Sequence, residues 1–424
     1  MASVGAAVAH AVIDPTFGQE GTAAVSPPTP SGWSNERLEA AATGQNGETY
    51  VVARQSSCAS YPCSQGDFVF RYLADGALEA GFAGSRGYEI PPETTSFYEA
   101  GQPLITVDSS GLPVVGRTVS TSGNGSAIVV RRLLDTGEPD TGFAAQGAVR
   151  LPCPCGRETT QLLAGPHDSV FVVATAETRE RRRGQKSGAT GSATLIKLDS
   201  TGHRAKGFGS RGSVTATAPG EGKIEYDATT PDGAIYFGGR GLTRSTDAGF
   251  LLRMSKKGVI DTRFERRALK ALQRLRAVKG NEVRVTTAVV GRTGPIELFG
   301  SAGSIGGFEL RLHPDGTPAG GWADDGLALL PYPIATAVQG REGSTMALTG
   351  EEAAAPHLLR ILGNGRLDRA FGAGGELLPG ATEPTGYSLY PAGLGRVGVT
   401  DLGRPECHAT CEVTGRLWRF LERK

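Results

Sequence analysis

The sequence predicts an all-β protein built from repeated four-stranded units, and three observations support this prediction. A connector motif, with a glycine six residues before an aromatic residue, recurs along the whole chain. Between the connectors lie β-rich runs that are broken by turns such as PDG, QNG and RTG, in which glycine or asparagine supplies a positive φ. The 424 residues also include 62 glycines, about twice the average share.

The connectors comprise six complete copies of the motif and one shortened copy at the start of the chain. Their leading glycines are Gly76, Gly137, Gly202, Gly258, Gly316 and Gly365. Their aromatic residues are Phe82, Phe143, Phe208, Phe264, Trp322 and Phe371, and the shortened copy retains Phe17. We expect these rings to pack between neighbouring units, each contributing about 1.5–3 kcal/mol of apolar burial, and not to form a ligand cage.

Each interval between connectors contains four short β-rich runs, and the repeat length of about 50–65 residues is typical of β-propeller blades. The sequence therefore predicts a seven-bladed β-propeller of four-stranded antiparallel blades. The chain begins in a connector and stops after the fourth strand of the last unit, where a further connector would start. The N-terminal segment therefore supplies the connector that the C-terminal end lacks, and the ring can close. A solenoid is the alternative, but we find no polar capping units in the sequence.

We expect residues 1–11 to be either the remnant of a signal peptide or a flexible N-terminus, because Ala9-His10-Ala11 fits a signal-peptidase pattern. Residues 12–424 are expected to form one propeller. Its units are placed approximately at 18–82, 83–143, 144–208, 209–264, 265–322, 323–371 and 372–420. In this assignment each connector crosses from the outer strand of one blade to the inner strand of the next.

The connector GRLDRAFGAGG, preceded by LLRILGN and combined with the hairpin PDGAIYFGG, resembles the delta-60 repeat proteins. The resemblance covers nearly all of the chain, across seven copies. It departs around Phe264, where Glu265 stands at a position that is usually glycine and RRALKALQRLRAVKG replaces a strand. The resemblance implies a bacterial protein of repetitive β structure with a secreted or surface role, and it implies no reaction.

The six cysteines form three close pairs, which are Cys58/Cys63, Cys153/Cys155 and Cys407/Cys411. Cysteines paired in polar loops are typical of disulfides formed outside the cytoplasm, and reduced thiols are the alternative. A bridge between the first and last units would staple the ring. A zinc site is a further alternative, although the spacings lack the usual C-x2-C pattern. All three pairs are expected on one face of the ring.

Two basic segments are candidates for contact with a partner. The first lies in a long loop on the same face as the cysteines and contains Arg179, Arg181, Arg182, Arg183 and Lys186. It suits an anionic ligand, and the alternative is a solvated loop. The second spans residues 263–279, where leucines at threefold spacing suggest an amphipathic helix that serves in recognition, with Arg266, Lys270 and Arg274 on its outer face. A strand with a charged lead-in is the alternative there.

The charge balance and the missing motifs limit the classes of function. Lys+Arg 44 against Asp+Glu 43 leaves a net charge of +1, which disfavours a dedicated nucleic-acid binder. The sequence contains no apolar run of about 18 residues, so we expect no transmembrane helix. It also contains no H-E-x-x-H and no G-x-S-x-G motif. We therefore assign no catalytic residue, no metal and no cofactor.

These observations favour a monomeric, secreted or cell-surface β-propeller that acts as a binding or scaffold module. Its ligand would be an extracellular polysaccharide, a cell-wall component or a protein. The alternative is an extracellular hydrolase or lyase that acts on a polymer, with carboxylates at the mouth of the channel. The acidic residues of the turns, Asp75, Asp140, Asp232, Asp261, Asp315 and Asp368, are expected to cap their own backbone.

Overall fold

The computed structural model describes most of the chain. The described residues are 12–44, 46–57, 64–91, 100–121, 125–153, 160–180, 188–218, 222–230, 233–241, 249–279, 283–290, 295–302, 306–340, 343–349, 357–372, 376–377, 387–391, 396–401 and 415–421. They form 28 strands, one α-helix and one short 3-10 turn. The protein is all-β apart from that helix, as the sequence predicts.

The strands form small antiparallel sheets in chain order. After β1 (Val12–Ile13) and β2 (Thr22–Val25), the first sheet contains β3 (Ser34–Thr43), β4 (Thr49–Ser57), β5 (Ser64–Tyr72) and β6 (Tyr88–Ile90). The second contains β7 (Ala100–Val107), β8 (Pro113–Thr121), β9 (Gly125–Arg132) and β10 (Ala148–Cys153). The third contains β11 (Thr160–Ala164), β12 (Val170–Glu180), β13 (Gly188–Leu198) and β14 (Ser213–Thr217).

The fourth sheet contains β15 (Gly222–Thr229), β16 (Ile235–Gly241) and β17 (Gly249–Met254), and the helix α1 (Thr262–Lys279) follows it. The fifth contains β18 (Val283–Val290), β19 (Ile296–Ala302), β20 (Gly307–Leu312) and β21 (Leu327–Leu330). The sixth contains β22 (Ile334–Gln339), β23 (Thr345–Thr349), β24 (Leu358–Ile361) and β25 (Glu376–Leu377). The last contains β26 (Tyr387–Pro391), β27 (Arg396–Asp401) and β28 (Gly415–Leu421), together with β1 and β2.

The sheets have a β-propeller arrangement. The first strand of each sheet contacts the first strand of the next, in the order β3, β7, β11, β15, β18, β22 and β26, and β26 contacts β3. Buried hydrophobic clusters fill the seams between adjacent sheets, as where Phe171 and Phe208 meet Ile235 and Phe250. Apolar burial in these seams is the main force that holds the sheets side by side.

Apart from the connector at Phe264, which leads into α1, the connectors lie within sheets and do not cross between them, so the predicted unit boundaries are wrong. The strand after each connector pairs antiparallel with the strand before it, as β6 pairs with β5 and β10 with β9. Short connections favour pairing of strands that are adjacent in the sequence. The predicted boundaries therefore separate a sheet's third strand from its fourth, except that the boundary at 264/265 falls inside α1. Where a fourth strand follows the connector, the crossing to the next sheet comes after that strand.

The two ends of the chain meet in the last sheet, as the sequence predicts. Both β1 and β2 pair with β28, so the start of the chain supplies the outer strand that the C-terminal segment lacks. Arg419 of β28 is 1% exposed and reaches the first sheet, where its guanidinium donates to the carbonyl oxygens of Gly47, at 3.0 Å, and Ala74. The guanidinium also lies 4.3 Å from the centroid of the Phe17 ring.

The fourth sheet departs from the four-stranded pattern. It has three strands among the described residues, and α1 follows β17 where the other sheets continue into an outer strand. The helix contacts β17 and packs between the fourth and fifth sheets. Segment 263–279 is therefore the amphipathic helix and not the alternative strand, because Ala, Leu and Arg favour helix over strand.

The connector aromatics are buried in the seams, with one exception. Phe17, Phe82, Phe143, Phe208, Phe264 and Phe371 are each at most 3% exposed. Trp322 is half-buried, and its indole Nε1 donates to the carbonyl oxygen of Gly363 in the next connector at 2.7 Å. These rings are packing residues, as the sequence predicts.

The leading glycine of each connector has a positive φ, and a side chain there would collide with the neighbouring connector. Gly76 has a φ of +87°, and a Cβ there would lie 2.9 Å from Phe17 Cε2 and 2.8 Å from the Cβ of Ala23. Gly202 has a φ of +76°, and a Cβ there would lie 2.9 Å from that of Ala144. Any other residue would be strained and would push adjacent connectors apart.

We expect Arg419→Met to destabilise the protein by at least about 2 kcal/mol, because it removes two charge-assisted hydrogen bonds across the closing seam. Arg416→Met is the matched control, since Arg416 is exposed on the same strand. Urea unfolding of both variants measures the difference. Equal stability of the two variants would contradict this role for Arg419.

Candidate binding surface

The helix α1 presents two chemically different faces. Asp261 precedes its first residue, and the Oδ1 atom accepts hydrogen bonds from the backbone N–H groups of Arg263, at 3.1 Å, and Phe264, at 3.0 Å. This side chain caps the helix and compensates for N–H groups that have no partner within it. The buried face consists of Phe264, Ala268, Ala271, Leu272 and Leu275, spaced as one side of an α-helix requires.

The opposite face is cationic and exposed. Arg263, Arg266, Lys270 and Arg274 are separated by three, four and four residues, so their side chains emerge on the same side of the helix. All four are exposed, and the side chain of Arg274 has a relative exposure of 73%. The sequence correctly placed Arg266, Lys270 and Arg274 on the outer face.

The turns next to the helix extend this cationic face. The backbone N–H of Gly209 donates to the carbonyl oxygen of Lys257 at 2.9 Å, which joins the connector of the third sheet to that of the fourth. These two connectors carry exposed Lys206, Arg211, Lys256 and Lys257. We call these four residues, together with Arg263, Arg266, Lys270 and Arg274, the basic surface. Sequence reasoning missed the connector residues because only the fold brings the two turns together.

Few acidic groups neutralise the basic surface. Among the described residues from 203 to 275, the exposed charged side chains are lysines and arginines, apart from Asp261, whose side chain is 41% exposed and lies 3.6 Å from Arg253. Arg274 approaches Asp325 at 3.8 Å, but both side chains are more than 70% exposed, and such pairs contribute little. Arg267, at the edge of the face, pairs with Asp315 of the next connector. The remaining cations stay available to a partner.

The other connectors also carry exposed cations, at Arg86, Arg366 and Arg369, but most of them differ in carrying exposed acidic residues. Exposed acidic residues occur there at Glu20, Asp75, Asp135, Glu138, Asp315, Asp324 and Asp325. The net charge of +1 therefore conceals a segregation, in which positive charge concentrates at the third and fourth sheets. Such local fields attract oppositely charged partners even when the whole molecule is near neutral.

Most of the sites predicted from sequence cannot be placed. Cys58, Cys63, Cys155, Cys407 and Cys411 lie outside the described residues, as do Arg181, Arg182, Arg183 and Lys186. Cys153 is the last residue of β10. Arg179 belongs to β12, where its backbone is paired with Ala189. The disulfide and loop predictions therefore remain predictions.

The acidic residues of the turns cap their own backbone, as expected. The Oδ1 atoms of Asp75, Asp140, Asp315 and Asp368 accept hydrogen bonds from N–H groups two residues further on, at 2.9–3.1 Å. The hydrogen bonds from Thr317, first from its hydroxyl and then from its N–H, hold the pKa of Asp315 below its usual value. Asp261 caps α1, and Asp232 lies outside the described residues.

One buried ionic cluster joins the first and second sheets. Asp67, which is fully buried on β5, accepts a hydrogen bond from Arg54 Nε at 3.0 Å and pairs with Arg117 of β8. Glu39 accepts from Arg37 at 2.7 Å and pairs with Arg54 at 2.8 Å. Burial lowers the pKa of Arg117, and the charge of Asp67 opposes that effect. The Asp67–Arg117 pair of this cluster joins the first sheet to the second.

A second buried cluster contains two glutamates, Glu297 and Glu309, and lies in the seam between the fifth and sixth sheets. Glu297 accepts hydrogen bonds from Arg311 and, at 2.6 Å, from Thr345 Oγ1 of the next sheet. Burial, followed by the negative charge of Glu297, raises the pKa of Glu309 to about 9. Glu309 is therefore neutral at pH 7. Because both glutamates are at most 3% exposed, a polymer cannot reach them.

The described parts of the inner strands carry small and aliphatic side chains toward the connector end. Examples are Ala40, Ala41, Leu104, Ile105 and Thr287, all half-buried. Among the residues that the structure describes, no group of three or more His, Cys, Asp or Glu side chains is arranged to hold a metal ion. No helix in the described part of the chain has the length and hydropathy of a membrane span.

The chain matches no protein-family model and no curated protein sequence. Among solved structures it is similar to a protein of unknown function from Dyadobacter fermentans, with 11% identity and a TM-score of 0.41, covering 95% of this chain and 99% of that one. It is also similar to the GH93 α-L-arabinofuranosidase of Fusarium graminearum, with 11% identity and a TM-score of 0.42, covering 78% and 95%. The PQQ-bound aldose sugar dehydrogenase from Streptomyces coelicolor is similar with 13% identity and a TM-score of 0.34, covering 94% of this chain and 98% of that one. These similarities are too remote to assign an activity.

We expect the stability of the protein to fall as the pH rises from about 5 to about 9. Glu309 keeps its proton in the folded state up to a pKa of about 9, whereas the unfolded chain releases it near the ordinary value of 4.5. Between these two pKa values the folded state binds one more proton than the unfolded chain. The free energy of unfolding then changes with pH by a slope that approaches about −1.4 kcal/mol per pH unit. Glu309→Gln should remove this slope, as measured by urea unfolding between pH 5 and 9. An unchanged slope would contradict the assignment.

Proposed function

We propose that this protein is a secreted or cell-surface, seven-bladed β-propeller that acts as a binding or scaffold module and holds an anionic partner on the basic surface. The observation that carries the proposal is the exposed cationic face of α1. The fold uses only the opposite, apolar face of this helix, so the outward cations are not explained by packing. Clustered surface charges of one sign attract oppositely charged partners.

The seven-blade count rests on sheet topology. We take each of the seven sheets as one blade, with the fourth blade completed by α1 instead of an outer strand. The cycle of contacts from β3 round to β26, and from β26 back to β3, supports this count. We also propose that the chain is a divergent delta-60 repeat protein, on the strength of its recurring connectors, and that it is a monomer.

The alternative, a hydrolase or lyase that acts on an extracellular polymer, receives less support. Such an enzyme needs two carboxyl groups that reach its substrate. The described turn acids cap their own backbone, and the Glu297–Glu309 pair is buried. Release of new reducing ends or unsaturated products from a polymer would favour the enzyme, and saturable binding without turnover would favour the module.

We expect the triple variant Arg266→Glu, Lys270→Glu and Arg274→Glu to bind immobilised anionic polymers at least about 10-fold more weakly, because attraction becomes repulsion. The panel contains polyglutamate, polygalacturonate, dextran sulfate, polyphosphate and single-stranded DNA, and biolayer interferometry measures the binding.

The matched control is Arg86→Glu, Arg366→Glu and Arg369→Glu, which makes the same change in net charge at exposed connector positions of other sheets. It should bind the panel like the unmodified protein. If both triple variants lose binding equally, net charge explains the effect and the basic surface is not the site. If neither variant loses binding, the ligand is held elsewhere.

If the protein is exported, its six cysteines should be joined in disulfides. We expect alkylation and mass spectrometry of the exported protein to detect no free thiol, since disulfides persist in oxidising compartments. Peptide mapping would then identify which of the six cysteines are joined. Six alkylated cysteines in exported protein would contradict the disulfides.

A further inference from the structure

We propose that the anionic partner is a linear polysaccharide with one carboxylate on each sugar, a polyuronate, which lies along the exposed face of α1. This inference rests on the proposed function and specifies the chemistry of its ligand. It follows from the spacing of the cations, from the kind of cations that are present and from what the surrounding surface lacks.

The four cations of the helix form a straight row. With an axial rise of about 1.5 Å per residue, the separations between Arg263, Arg266, Lys270 and Arg274 correspond to about 4.5–6 Å along the helix axis. The whole row spans about 16 Å along that axis. A partner that contacts all four cations is therefore extended and carries negative charges at short, regular intervals.

A polyuronate matches this interval. One pyranose unit of a linear chain is about as long as one turn of α-helix, roughly 5.4 Å. Each unit carries one carboxylate, so successive sugars place successive negative charges at nearly the spacing of the row. About four sugars would cover the row of four cations on the helix.

The cations themselves favour carboxylates. Three of the four are arginines, and the planar guanidinium donates two parallel hydrogen bonds to a carboxylate. At Arg263 and Arg266 the guanidinium groups are exposed, which leaves their N–H groups accessible to such a ligand. Arg266 Nε donates to the carbonyl oxygen of Thr262 at 3.3 Å, a hydrogen bond that uses the Nε–H and not the terminal nitrogens.

The surroundings disfavour two other polyanionic partners. Proteins that bind single-stranded nucleic acid stack bases on exposed aromatic rings, but the aromatic residue of the described segment 255–275, Phe264, is fully buried. Helices that lie on membranes present large apolar residues beside their basic ones. Within residues 262–275, the exposed side chains of the helix are charged or polar, and the preceding described turn, 255–261, has one exposed large apolar side chain, Val259.

The test is calorimetric titration of the full chain with oligogalacturonates of one to eight sugars. We expect affinity to increase with length up to about four sugars, then to change little, and to fall with added salt. Arg266→Gln, Lys270→Gln and Arg274→Gln together should abolish this length dependence. Arg266→Lys with Arg274→Lys should weaken binding several-fold although charge is retained, because lysine lacks the two-pronged donor.

Fully methyl-esterified oligomers of the same lengths, which lack the charge, should not bind. Thermal unfolding of each variant checks that these exposed substitutions leave the fold intact. If esterified oligomers bind equally well, or if affinity does not depend on length, the inference is wrong. If dextran sulfate, polyphosphate or single-stranded DNA binds through α1 and oligogalacturonate does not, the inference is wrong while the proposed function stands. If none of these polymers binds through α1, both are wrong.

Discussion

Contact between successive connectors is the constraint on which the rest of the structure depends. The backbone N–H after the aromatic residue donates to a carbonyl of the next connector, at 2.6–2.9 Å, in four places: Gly18 to Asp75, Ala83 to Thr136, Ala144 to Thr201 and Gly209 to Lys257. Arginines of the third strands add a second link, from Arg71 to Asp135, Arg253 to Pro314, Arg311 to Gly363 and Arg419 to Ala74. A side chain at the leading glycine would break this contact, which explains why the motif repeats so strictly.

The same constraint explains how one sheet can change without opening the ring. In the fourth sheet a helix replaces the outer strand, yet Phe264 still fills the seam, and its carbonyl oxygen lies 2.8 Å from where Gly316 would carry a Cβ. Arg267 of α1 also donates to the carbonyl oxygen of Asp315 at 3.3 Å, which maintains the link to the next connector. The helix covers the edge of β17 and protects it from pairing with other chains. Its outer face is then free to carry charge.

Charge is divided between two roles according to burial. Inside the seams, buried carboxylates have polar partners in the neighbouring sheet, as Asp67 has the guanidinium of Arg117 and Glu297 has the hydroxyl of Thr345. Removing such a partner would leave a carboxylate less compensated in a medium of low polarity. On the rim, the cations of α1 are exposed and make few contacts within the protein. Buried pairs hold neighbouring sheets in place, whereas exposed rows are suited to reversible binding that responds to salt.

The repeat, the all-β class, the closure by the two chain ends and the burial of six connector phenylalanines could all be read from the sequence, because they follow from local patterns of glycine and apolar residues. The position of each connector within its sheet could not, since a periodic pattern has no intrinsic starting point and only strand pairing sets where one blade ends. The sequence left a helix and a strand as alternatives for segment 263–279. The packing of Phe264, Ala268 and Leu272 between two sheets selects the helix. The basic surface combines Lys257 with Arg211, which are distant in the chain and become neighbours only when the connectors meet.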